Sequence, residues 1–152
     1  LILVGKTTEE GFVRAIADYA GRIAHYLPFN IVTIPELKNT KKLSEAQQKV
    51  REGELILREI QPSDTVVLLD EHGKEFRSVD YAAWLQKKQN TARRLVFVIG
   101  GAYGFSEAVY SRADEKISLS KMTFSHQMVR LIFVEQLYRA CSIIRGEPYH
   151  HE

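Results

Sequence analysis

Between Ile117 and His150 the chain carries its densest run of groups able to do chemistry, ordered as a short strand, a polar loop, a long helix and a tail. Ser118, Ser120, Thr123 and Ser125 put hydroxyls through the loop. Ser125 or Thr123 can cap the helix that follows, because a hydroxyl accepts a first-turn N–H that has no intrahelical partner. A loop that empties into a helix N-terminus presents backbone donors and the positive end of a dipole, which suits a polar ligand. Beyond the helix, Tyr149 and His150 follow Pro148 on a tail where a core role is hard to supply. They serve either a bound ligand or solvent.

Two further segments have comparable potential. Asp70-Glu71-His72-Gly73-Lys74 reads as a turn after a strand ending at Leu69, and Gly100-Gly101-Ala102-Tyr103-Gly104 as a loop after a strand ending at Ile99. In an open parallel sheet, ligands sit beyond the carboxyl ends of the strands, and glycines there permit close backbone approach. The glycine loop lacks the spacing of a dinucleotide fingerprint and follows the fourth strand rather than the first, and no Walker A sequence is present. Metal chemistry is not expected. His150 and His151 are adjacent, His72 and His126 stand alone, and there is neither an HExxH motif nor a cysteine pair. His126, just inside a helix start, reads on spacing alone as a structural hydrogen-bonding residue. Lys38, Lys41 and Lys42, with Lys87, Lys88, Arg93 and Arg94, could follow a phosphate backbone or form solvated surface.

The elements that position these groups alternate along the chain. Strands are expected at Leu1–Val4, Asn30–Ile34, Thr65–Leu69, Arg94–Ile99 and about Lys116–Leu119, the third and fourth apolar throughout. Helices are expected from Glu9 to about Tyr26, stopped by Pro28, and from Ser44, with a capping-box glutamine at Gln47, to about Ile60. Others run from a capping Ser78 to about Lys88, from about Ser106 to Tyr110, and from Gln127 to Arg145. That pattern predicts a single α/β domain over residues 1–152 with a mostly parallel sheet and helices on both faces. The last helix, roughly 28 Å long, is apolar at nearly every angle and needs cover on most sides, which predicts a homodimer. Glu135 and Arg139 stand four apart in the favourable order for an ion pair.

Composition sets the outer bounds. With 45% hydrophobic and 26% charged residues among 152, the chain can build a real core and is not a disordered one. A net charge of +2 permits contact with nucleic acid without the strong basic excess of a dedicated nucleic-acid module. The single cysteine, Cys141, excludes an internal disulfide, fits a reducing compartment and lies within the helix pattern as a small hydrophobe. No apolar run approaches the roughly 18 residues of a membrane span, and Leu1–Val4 is too short for a signal peptide. Opening directly on a strand suggests that an initiator methionine precedes Leu1.

Taken together, Leu119 to Arg130, the Ile99–Gly104 segment I-G-G-A-Y-G, the Leu68-Leu69-Asp70 strand end, the Tyr138-Arg139-Ala140 triplet and the terminal Pro148-Tyr149-His150-His151 closely resemble the RlmH family of SPOUT-class RNA methyltransferases. The resemblance spans essentially the whole chain and is most specific after Leu95. It implies an α/β fold whose C-terminal segment threads a loop to form a trefoil knot, which elementary physics would not suggest because knots are so rare. It implies S-adenosyl-L-methionine as cofactor, held by Leu69, Gly100, Leu119, Ser120, Lys121, Met122, Thr123 and Phe124. It also implies a cytoplasmic homodimer acting on N3 of a pseudouridine in 23S ribosomal RNA of the assembled ribosome, without metal or membrane. Tyr149 and His150 are then the candidates for gripping the nucleotide and handling its N3 proton. Arg139, His126 and His151 become candidate RNA contacts, Arg139 alternatively a dimer-interface residue. Two residues depart from the family: Ser125 stands where many relatives have proline, and His151 where Arg or Lys is common. A SPOUT enzyme for another RNA, or a ribosome-associated binding protein without catalysis, are the alternatives.

Overall fold

The computed structural model describes residues 1–151. Five strands and five α-helices alternate in the order β1 (Ile2–Val4), α1 (Glu10–Ile23), β2 (Val32–Ile34), α2 (Glu45–Arg58), β3 (Thr65–Glu75), α3 (Ser78–Thr91), β4 (Leu95–Ile99), α4 (Glu107–Arg112), β5 (Glu115–Ser118) and α5 (Met128–Ile144). The residues fall into two compact units.

The first unit comprises Leu1–Lys6, Ile31–Lys74 and Arg93–Ser118, and holds the sheet with α2 and α4. Its strand order is β2-β1-β4-β3-β5. The β1–β2, β1–β4 and β3–β4 ladders are parallel, with Leu3 opposite Thr33 and Ile99, and Leu69 opposite Ile99. Val66, Val67 and Leu68 are buried in sequence, as are Val96 to Ile99. Successive strand residues point to opposite faces, so a run of buried ones requires cover on both. That is why these strands read as unbroken apolar runs. Ile56 of α2 and Val109 of α4 complete the core against Ile2, Ile34, Val66, Leu68 and Val98. Ser44 caps α2 as its sequence predicts, accepting the Gln47 N–H while the Gln47 side chain accepts the Ser44 N–H.

The carboxyl-terminal boundary of β3 departs furthest from the sequence reading, while α1 ends at Ile23 and β2 starts at Val32, each two or three residues short. Asp70 to Lys74 is not a turn: β3 continues through it to Glu75. The polar residues and Gly73 suggested a reversal, but Gly73 serves a close strand contact instead. A Cβ there would lie 2.5–2.7 Å from the Ile117 backbone of β5, so only glycine allows the two main chains to approach this closely. A second correction is local. Ser78 does not cap α3 but is its first residue, after Arg77, and its hydroxyl donates to Gln136 Oε1 at 3.0 Å.

The second unit comprises Thr7–Asn30, Glu75–Ala92 and the chain from Leu119 onward. Here α5 packs against both α1 and α3. Its buried stripe, Arg130, Phe133, Val134, Leu137, Ala140 and Cys141, follows the three-and-four spacing of one helix face. The opposite face keeps Ile132 and Ile143 half-buried and Met128 exposed. No helix among the described residues is long and apolar enough to cross a membrane.

Candidate functional site

In the first unit the glycine loop is held at several points. Gly101 donates its N–H to Glu52 Oε1 of α2 at 3.1 Å, and Gly104, at φ +80°, donates to the Gly101 carbonyl at 3.2 Å. Phe105 folds back so that a Cβ on Gly100 would lie 2.9 Å from its ring. Ser106 then caps α4. Leu69 is half-buried at the last β3–β4 register pair, within a continuing strand rather than at a strand end. The next residue, Asp70, accepts the phenolic proton of Tyr110 and the N–H of His72. Burial, followed by that carboxylate, pushes the Tyr110 phenol up to about 12.

In the second unit the loop from Leu119 to Phe124 leads into α5. Ser120 Oγ accepts the Met122 N–H at 3.0 Å, leaving Lys121, Met122 and Thr123 exposed, Met122 by 78%. Leu119 and Phe124 are half-buried. Gln127 occupies the cap position of α5, and of the two sequence candidates it is Ser125 that bonds the helix start from two residues before it. Its Oγ accepts the Met128 N–H at 3.1 Å, and its carbonyl the Val129 N–H at 3.0 Å. Polar contacts from the residues before α1 tie this helix start down: Gln127 Oε1 accepts the Thr8 N–H, and the buried Arg130 donates to Thr7 Oγ1 at 2.9 Å.

At the other end of α5 the tail turns back along the helix. Gly146, at φ +70°, donates to the Ile143 carbonyl, and Glu147 donates to that of Ser142. These paired bonds are a Schellman ending, and its left-handed residue is cheapest as glycine. The turn lays Tyr149 over Tyr138, with ring centroids 4.6 Å apart, and beneath the Arg139 guanidinium at 4.9 Å. Tyr149 donates its hydroxyl proton to Glu135 Oε1 at 3.1 Å and lies 3.3 Å from the Tyr19 hydroxyl. Burial first, then the Tyr19 and Glu135 contacts, raise its phenol well above the ordinary range, so Tyr149 is a neutral donor at physiological pH. Arg139 Nε donates to the same Glu135 oxygen at 3.1 Å, and Nη1 lies 3.2 Å from His150 Nδ1. A guanidinium only donates. His150 Nδ1 therefore accepts, and the ring proton sits on Nε2.

Comparison with known proteins decides what these parts belong to. Residues 1–150 match the family model described as "Predicted SPOUT methyltransferase". The chain belongs to the SPOUT methyltransferase family. Proteins named Ribosomal RNA large subunit methyltransferase H from Parabacteroides distasonis and Bacteroides fragilis are 63% and 62% identical over 100% of this chain and 98% of their own. The protein of that name from Christiangramia forsetii is 59% identical over 99% of this chain and 97% of its own. A crystal structure of the SpoU methyltransferase AviRb from Streptomyces viridochromogenes with AdoMet aligns over 95% of this chain and 60% of that one, at TM-score 0.46 and 15% identity.

Of the residues singled out from the sequence of this SPOUT methyltransferase, Arg139, Tyr149 and His150 meet in one cluster with Glu135. His151 is exposed on the tail beside them. His126 is exposed at the opposite end of α5 from Arg139, about 20 Å away along the helix axis. Cys141 is a buried core residue whose thiol burial pushes up to about 11. Sequence reasoning paired Glu135 with Arg139 but missed its bond to Tyr149. It also missed Tyr19, Arg130 and Glu52, whose partners lie 130, 123 and 49 residues away. No local pattern signals contacts over such separations.

Proposed function

We propose that the chain transfers a methyl group from S-adenosyl-L-methionine to N3 of a pseudouridine in 23S ribosomal RNA. It does so in the cytoplasm, as a homodimer acting on the assembled ribosome. The observation that carries this reading is likeness at 59–63% identity, over nearly the full length of both chains, to proteins named Ribosomal RNA large subunit methyltransferase H. Family membership supports the knotted C-terminal segment as well.

The cofactor residues are Leu69, Gly100, Leu119, Ser120, Lys121, Met122, Thr123 and Phe124. Their chemistry suits the group: half-buried apolar side chains at Leu69, Leu119 and Phe124, a position without a side chain at Gly100, and an exposed stretch Lys121-Met122-Thr123 that mixes polar groups with one apolar side chain. When bound, S-adenosyl-L-methionine supplies an electrophilic methyl on a sulfonium. The protein then aligns the acceptor nitrogen, where holding reacting atoms near 3–3.5 Å supplies most of the advantage.

Tyr149 and His150 grip the target nucleotide. The neutral phenol, once released from Glu135 Oε1, is a donor suited to a uracil carbonyl. Displacing Arg139 from Nδ1 frees that nitrogen to accept the N3 proton, while Glu135 keeps hold of the guanidinium. Arg139, His126 and His151 contact RNA.

Mass-spectrometric mapping of methylated nucleotides in ribosomes from cells with and without the protein tests the reading. One pseudouridine should lose its N3 methyl in the deletion strain. Methyl transfer to tRNA or isolated subunits in preference to intact ribosomes would redirect the assignment.

A further inference from the structure

We propose that Glu52 is a positioning residue for cofactor binding, its carboxylate holding the Gly100–Phe105 loop in the shape in which Gly100 meets the cofactor. The inference rests on the reading of Gly100 as a cofactor residue. Glu52 accepts the Gly101 N–H at 3.1 Å. A Cβ on Gly101 would lie 2.7 Å from Glu52 Oε2, so the carboxylate lies flat against the loop's main chain. The next residue of α2 lies close against the residue that follows the loop. A Cβ on Gly53 would lie 2.4 Å from Ser106 Oγ, the atom that caps α4 by accepting the Val109 N–H. Consecutive residues on one helix thus lie against both ends of the loop, one of them bonded to it, and the Gly104-to-Gly101 bond closes its middle.

The carboxylate sits there against an electrostatic preference. Burial raises the Glu52 pKa, the Gly101 N–H opposes the rise, and Glu36 adds to it. Glu36 is itself pressed against the chain, 2.6 Å from where a Gly5 Cβ would be. Burial and a neighbouring like charge both disfavour the ionised carboxylate, and the Gly101 N–H favours it. What the carboxylate supplies is one fixed acceptor, which pins the peptide immediately after Gly100.

Three variants separate positioning from general support. Glu52→Gln keeps an acceptor at the same reach, Glu52→Asp withdraws it by one methylene, and Glu52→Ala removes it. Steady-state methylation of ribosomes should show KM for S-adenosyl-L-methionine rising about tenfold in the Ala and Asp variants, the upper size of one lost neutral hydrogen bond. The Gln variant should stay within about twofold of wild type, with kcat and KM for ribosomes nearly constant throughout. Equal losses in Gln and Asp, or a loss confined to kcat, would overturn the proposal, and that comparison stands even if Glu52→Ala does not fold. Calorimetry with S-adenosyl-L-methionine separates the two levels of inference. Wild type that binds nothing removes the cofactor reading and the proposal with it; binding undisturbed in Glu52→Asp removes the proposal alone.

Discussion

A single oxygen, Glu135 Oε1, receives both the Tyr149 hydroxyl and the Arg139 guanidinium, and Arg139 in turn fixes the His150 tautomer. The tail is thereby preset: the phenol is aimed, and the imidazole is held with its basic nitrogen covered until something displaces the arginine. The prediction at this scale is a separation of effects. His150→Ala removes the proposed proton acceptor but none of the proposed cofactor residues, so turnover on ribosomes should fall by about a hundredfold or more. Affinity for S-adenosyl-L-methionine, read by calorimetry, should stay within about twofold of wild type. Unchanged turnover would strip His150 of its role. The ingredients were legible, since Glu135 and Arg139 stand at helix spacing and Tyr149 and His150 follow Pro148 on a tail. Their meeting was not. It depends on a turn at Gly146 and on Tyr19 arriving from α1.

Elements written in local chemistry were readable, and elements made by distant backbone were not. The capping box at Ser44 and Gln47 placed the start of α2, whereas α1 ends at Ile23, short of the expected stop at Pro28. The extension of β3 through Asp70–Glu75 was hidden because its cause is Ile117, far along the chain. Two glycines give this contrast a measurable form. At Gly146 a side chain has open space, and the cost is only that of a left-handed φ, about 1–2 kcal/mol. At Gly73 a Cβ would press on the Ile117 N, Cα and C atoms, which no rotamer change relieves. Gly73→Ala should therefore lose about 3 kcal/mol, at the upper end of overpacking costs, and more than Gly146→Ala in denaturant unfolding. Gly146→Ala should instead disturb the tail and raise KM for ribosomes. The reverse ranking of stabilities would mean that β3 and β5 do not cross as closely as the structure places them.

For the molecule as a whole, acid stability and assembly can be read from particular groups. Asp64 is buried, and Arg94 donates to both its oxygens, with Nε to Oδ1 at 2.8 Å. That guanidinium is the main cause holding the Asp64 carboxyl below its ordinary value. Stability from the pair is therefore complete above the unfolded value, about 3.9, and is lost as pH falls through the lower folded value. Wild type should lose melting temperature steeply in that acid window, and Asp64→Asn should begin lower at neutral pH and fall less. The proposed homodimer would meet on the outer face of α5. Met128, Ile132, Arg139 and Ile143 recur there at helical spacing, and the two isoleucines are only half-covered within one chain. If a second copy completes that cover, Ile132→Glu puts a charge where apolar contact is needed and should shift the mass in light scattering from twice 17.4 kDa to the single value. Ile132 is absent from the buried stripe that joins α5 to α1 and α3, so the monomer should remain folded by circular dichroism. Activity should disappear with the dimer, because the proposed enzyme works as a pair of chains. A monomeric variant that still methylated ribosomes at the wild-type rate would show that one chain holds a complete site.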